Sequence, residues 1–188
     1  MLMWKHLKRL ALLASTILGS GATSGCADEP RIMPGVQESG YVMPFPLQQG
    51  GEQIDLLVRV RDDERPHQFT LILVMRHDWP EEKKDALSRI YRGFAIGDPA
   101  PTPNPIRLRI RIDAVDEKNN FHDERIISDT KPQYTEQAEN GAAAWRGQML
   151  YARKFTPGIY RVRVDNLAPV PQIDFQTLFG FERFSRKV

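Results

Sequence analysis

Apolar and polar residues alternate along much of this chain. In Ile106-Arg107-Leu108-Arg109-Ile110-Arg111-Ile112-Asp113 the even positions are apolar and the odd ones charged. Successive side chains of a strand point to opposite sides, so this run predicts a strand with one face in a core and one in water. Ile159 to Asp165 repeats the pattern after a Pro157-Gly158 turn, and Ile54 to Val60 is a third case. Phe69 to Met75 is apolar almost throughout, which predicts a central strand covered on both sides. Weaker alternation predicts strands over 41–47, 121–128, 144–155 and 173 to about 181. The first of these is an edge strand, because Pro44 and Pro46 interrupt it. Asp116 to Asn120 predicts the hairpin turn between two strands.

One segment has helical spacing instead. Asp78-Trp79-Pro80-Glu81-Glu82 offers a capping acid, a proline at the first turn and acids at the positive end of the helix dipole. Ala86, Leu87, Ile90, Tyr91 and Phe94 follow at helical spacing, and Gly93 marks the stop. A proline-rich stretch from Gly97 to Pro105 then predicts an extended surface loop. Many short strands with one inserted helix predict a mainly β fold, an antiparallel β-sandwich of immunoglobulin-like architecture.

The first residues follow a different logic. Lys5, Lys8 and Arg9 precede the apolar run from Leu10 to Leu18, and small residues lead from Gly19 to Cys26. A basic head, a short apolar middle and a small-residue exit are the marks of a secretory signal. The apolar run is shorter than the roughly 20 residues needed to span a bilayer. Thr23-Ser24-Gly25-Cys26 resembles the bacterial lipobox, although Thr23 stands where Leu is usual. The resemblance implies that residues 1–25 are a lipoprotein signal peptide and that Cys26 is lipidated. Ala27 after it, rather than Asp, implies an inner-leaflet anchor on the outer membrane, with the domain facing the periplasm. Residues 26–39 lack periodicity and contain Pro30, Pro34 and Gly35, which predicts a flexible tether. Residues 40–188 then form the sandwich domain.

Charge changes its meaning after cleavage. The whole chain has 26 basic and 24 acidic residues, but Lys5, Lys8 and Arg9 lie in the leader and no acid does. The remainder carries a net charge near −1, so the compositional argument for nucleic-acid binding disappears. Cys26 is the sole cysteine, so the fold is expected to hold without a disulfide.

Little in the sequence points to catalysis. Beyond the leader, Ser39, Ser88, Ser128 and Ser185 are the only serines, and none sits in Gly-x-Ser-x-Gly. No glycine-rich phosphate loop appears, and no cofactor or small-molecule substrate is predicted. His122-Asp123-Glu124, with His77-Asp78, is the best metal candidate. Neighbouring strand residues point to opposite faces, however, so strand-edge polar residues explain it better and no metal is predicted. Glu81-Glu82 is explained by the helix start. Trp79 and Trp145 suit a core more than an interface. The arginine rows stand apart: Arg107, Arg109 and Arg111 share one strand face, and Arg161 and Arg163 share another. If the two strands are neighbours, they form either a positive plate for a protein with an acidic surface or a solvated face cross-paired with Asp113, Asp165 and glutamates.

Several segments together resemble an uncharacterised family of small proteobacterial lipoproteins. They are the lipobox, Pro44 to Leu47, the helix with its Gly97-Asp98 loop, Pro105 to Ile110, and Pro157 to Val164 leading into Asn166-Leu167. The likeness covers about residues 40 to 180. It implies no enzymatic activity and supplies no catalytic residues. Similar envelope lipoproteins accompany interbacterial secretion systems and neutralise periplasmic toxins. The resemblance therefore implies an immunity protein, the alternative being a structural accessory of the envelope or of a secretion apparatus.

Overall fold

The computed structural model describes residues 31–62, 64–92, 104–116, 118–128, 130–138 and 141–184. The elements run β1 (Arg31–Gln37), β2 (Tyr41–Pro44), β3 (Gln53–Val60), β4 (His67–Arg76), α1 (Glu81–Arg92), β5 (Leu108–Ala114), β6 (His122–Ile127), β7 (Lys131–Gln137), β8 (Ala143–Arg153), β9 (Gly158–Asn166) and β10 (Thr177–Arg183). They form two five-stranded sheets, ordered β1-β3-β9-β5-β6 and β2-β10-β4-β8-β7. Every pairing is antiparallel except that of β1 with β3. The expected sandwich is therefore the fold.

Period-two alternation decides which side chains meet between the sheets. Ile54, Leu56, Val58 and Val60 of β3 are buried, as are Leu108, Ile110 and Ile112 of β5 and Tyr160, Val162 and Val164 of β9. Facing them, β4 contributes Phe69, Leu71 and Leu73, and β10 contributes Phe179 and Phe181, all in one cluster. As its apolar run predicts, β4 is central and buried on both sides. Its other face carries Ile72 and Val74, which join Ala143 and Leu178 in a second, smaller cluster against which Val42, Ala138 and Trp145 pack. Within that outer layer the Tyr134 ring lies so close over Gly147 that any Cβ there would overlap it. Trp145 thus belongs to a small outer cluster, while Trp79 packs on Phe175 at the main core's margin.

The helix also forms where the pattern predicts it, with Leu87 and Tyr91 buried and Glu81 and Glu82 exposed. Asp78 does not cap it. Its carboxylate takes two hydrogen bonds from Arg76 (2.9 and 2.5 Å), and the Pro80 carbonyl accepts from the Lys83 and Lys84 amides. At the other end, buried Gln148 of β8 donates to the carbonyls of Ile90 and Tyr91, which the last helical turn leaves unpaired. Phe94, Gly93 and the proline-rich loop to Pro103 lie outside the described residues.

Two elements correct the sequence reading. The flexible tether expected over 26–39 gives way at Arg31, where β1 joins the edge of a sheet beside β3. Its Pro34 and Gly35 fall at a register shift between Ile32 and Val36, with Gly35 at φ +89°. An edge strand tolerates a proline and a bulge there, which is why turn-forming residues do not prevent pairing. The second is β7, an edge strand whose sequence KPQYTEQ lacks apolar alternation.

Candidate functional site

The two arginine rows do meet. Strands β5 and β9 are neighbours, with Arg109 opposite Asp165, Arg111 opposite Arg163 and Asp113 opposite Arg161. Arg107, Arg109, Arg111, Arg161 and Arg163 therefore share the outer face of the β1-β3-β9-β5-β6 sheet. That face is not a bare positive plate. Asp55 of β3 takes two hydrogen bonds from Arg161 (2.8 and 2.5 Å) and lies 3.8 Å from Arg163. Glu124 of β6 accepts from Arg111 at 2.9 Å and sits 3.4 Å from Arg109, and Asp165 lies 3.8 Å from Arg109. The hydrogen bond from Arg111 holds the Glu124 carboxyl below its ordinary range, and Asp55 makes Arg161 a still weaker acid. Arg107, at the margin, is exposed and makes no ion pair among the described residues. The face is a lattice of guanidinium and carboxylate groups in which cross-strand partners engage Arg109, Arg111, Arg161 and Arg163.

The metal candidates separate as strand geometry requires. His122 Nδ1 lies 2.6 Å from Asp113 on the outer face. Asp123 points the other way, accepting from Tyr151 (2.7 Å) and Arg125 (3.0 Å). His77 is bonded to Gln137 in the other sheet. Among the described residues no group of three His, Cys, Asp or Glu could hold a metal ion. Cys26 lies outside the described residues.

A second feature was missed by the sequence reading. At the end of the sandwich where β3 leaves one sheet and β4 enters the other, a cleft of about 430 Å³ is lined by Glu38, Ser39, Gly40, Arg59, Arg61, His67, Glu182 and Arg183. Glu38 receives two hydrogen bonds from Arg61 (2.9 and 2.8 Å) and a longer one from Arg59 (3.5 Å). Arg183 pairs with Asp62 at 2.5 Å. His67 is 1% exposed, and its ring stacks on Phe181 at 5.4 Å. Cross-strand neighbours of His67 are Arg183 on one side and Arg153 on the other. These residues come from four segments, around 38–40, 59–61, 67 and 182–183, and no sequence spacing links one segment to the next.

Burial, and then the positive charge of Arg183, push the His67 imidazole below its ordinary value of 6.5, against a weaker pull from Asp62. The unfolded chain takes up this proton near pH 6.5 while the folded chain resists it. Stability from this group is present above that pH and is lost as pH falls toward the depressed value. The urea midpoint is expected to drop between about pH 7.5 and about pH 5.5, and His67→Gln should flatten that part of the profile. A midpoint with the same slope in both proteins would show that His67 does not set it.

A family model described as Domain of unknown function (DUF5625) matches residues 42–182. The chain belongs to this family. The matched span runs from β2 to the last turn of β10 and carries the whole arginine lattice. It also carries Arg59, Arg61, His67 and Glu182 of the cleft. In fold the chain is similar to the crystal structure of GEBA250068378 from Sulfurospirillum deleyianum. The TM-score is 0.52 at 13% identity, covering 78% of this chain and 98% of that one. No curated protein matches the chain.

Proposed function

We propose that this chain is a lipid-anchored module that captures another protein in the periplasm, as the immunity partner of an envelope-targeting toxin. The observation that carries the reading is the outer sheet face, where Asp55, Glu124 and Asp165 brace four arginines on two neighbouring strands, Arg109, Arg111, Arg161 and Arg163, with exposed Arg107 beside them. Arginines braced in this way lose little side-chain freedom when a partner arrives, so more of the contact energy appears as affinity. Their guanidinium groups, partly exposed, suit carboxylates on an acidic surface, while the interleaved acids reject a purely cationic one. The lipobox-like Thr23-Ser24-Gly25-Cys26 supports the anchored, periplasm-facing part.

The test begins with affinity capture from the protein's own cells and mass spectrometry of what is retained. Binding of the identified partner is then compared with that of the variant R107S/R109S/R111S. A toxin partner is expected, bound at least about tenfold more weakly by the variant. A strain lacking the protein should grow normally alone and be killed by toxin-bearing siblings. Unchanged affinity of the variant would remove the arginine face from the reading. Recovery of envelope or secretion-apparatus components, with a growth defect in the absence of any toxin, would replace immunity by the scaffold alternative.

A further inference from the structure

We propose that the cleft at the β3–β4 end of the sandwich binds a small molecule through an oxyanion, a carboxylate or a phosphate, held by Arg59, Arg61 and Arg183 above the buried ring of His67. This site shares no residue with the arginine lattice and does not depend on the protein-binding reading.

Four observations carry the proposal. First, three guanidinium groups, two from the end of β3 and one from β10, line one concavity of about 430 Å³, within the usual range of small-ligand sites. Second, their donors are mostly uncommitted. A guanidinium has five N–H groups. The described hydrogen bonds use two on Arg61, one on Arg59 and one on Arg183. Glu38 and Asp62 therefore fix where the arginines stand without exhausting them, and a forked oxyanion is what the remaining donors match.

Third, His67, which lines the cleft, holds a polar atom with no partner among the described residues. His67 is buried, and its Nδ1 has no hydrogen-bond partner. Almost all buried polar atoms find one, so an exception in a residue that lines a cleft is consistent with a ligand group drawn against the ring. Fourth, one of the two acids that line the cleft is engaged elsewhere. Glu182 Oε1 accepts from Thr70 (2.6 Å) and from the Tyr134 hydroxyl (3.0 Å), which draws its charge toward the outer layer. The same contact, after burial, makes the Tyr134 phenol harder to ionise. The lining is thus cationic on balance, and an anion is the ligand charge it favours.

The experiment uses the full chain in detergent micelles at constant ionic strength. Inorganic phosphate and, separately, citrate are titrated while the histidine ring resonances are followed by NMR, assigned with His77→Gln and His122→Gln variants. One of the two anions is expected to shift the His67 signal saturably, with half-saturation below about 1 mM. The stronger of the two identifies the oxyanion as phosphate or carboxylate. R61Q/R183Q is expected to bind at least about tenfold more weakly, and Arg183→Lys, which keeps the charge but loses the fork, should also weaken it. Both variants alter exposed side chains, and an unchanged thermal midpoint shows that they are folded. The proposal is overturned if neither anion gives a saturable response, or if the variants bind as the native chain does. Equal shifts of His77 and His122 would also overturn it, since they would mark a general salt effect.

Discussion

Replacing Phe69 with alanine is expected to cost about 3–5 kcal/mol of folding free energy. Phe69 is 0% exposed at the centre of β4. Its ring stacks on Phe181 (5.3 Å) and Phe179 (5.8 Å), meets Phe155 edge-on (6.3 Å) and touches Tyr151 at 6.2 Å. Truncation removes the ring's transfer free energy and leaves a cavity walled by four other rings. Three of those rings, Tyr151, Phe179 and Phe181, are fixed on the strands either side of β4, so the space does not fully collapse. For a domain of this size the thermal midpoint should fall by roughly 10–15 °C. Ile126→Ala serves as the contrast: that side chain is 53% exposed, and its loss should stay within about 0.5 kcal/mol. A midpoint for Phe69→Ala within a few degrees of the native value would mean that the two sheets do not close on this cluster.

Replacing Cys26 with serine is expected to move the protein from the membrane fraction to the soluble one. The proposed anchor gives the reason. One acyl chain supplies only marginal, reversible membrane binding, whereas two or more hold a protein there, at about 0.8 kcal/mol per buried methylene. Among the described residues no helix is long and apolar enough to cross a membrane. The native chain should incorporate a palmitate label and resist extraction by high salt, and Cys26→Ser should do neither. Its thermal midpoint should be unchanged, since Cys26 precedes the first strand. A native chain found in the soluble fraction would sink the anchor, and so would a serine variant that stays with the membrane. Strand β1 runs parallel to β3, from Arg31 beside Ile54 to Gln37 beside Val58. Its seven residues advance roughly 20 Å toward the Arg61 end.

How far the sequence could be read depended on whether a segment's environment was written in its own residues. Strands β3, β5 and β9 lie between core and water, so they alternate, and their faces were legible to the residue. The central strand β4 was legible as an uninterrupted apolar run. Strand β7 was not, because an edge strand with few core-facing positions shows no hydrophobic period. In β1 the turn-forming Pro34-Gly35 masked a pairing that a bulge accommodates. Asp78 looked like a helix cap by position, but a bidentate pair with Arg76 was available two residues away and took its carboxylate.

The functional faces divide in the same way. The sequence by itself determined that Arg107, Arg109 and Arg111 share a face and that Arg161 and Arg163 share another, since a strand's period of two is a local property. Only the tertiary structure decided that the two rows are adjacent, that Asp55 braces one and Glu124 the other, and that the result is a lattice rather than a bare plate. It alone brought Arg59, Arg61, His67 and Arg183 around one cleft. Register and sheet order arise from contacts between residues far apart in the chain, more than a hundred positions in the case of His67 and Arg183. Such contacts are chosen by the packing of whole faces, and no single segment records them.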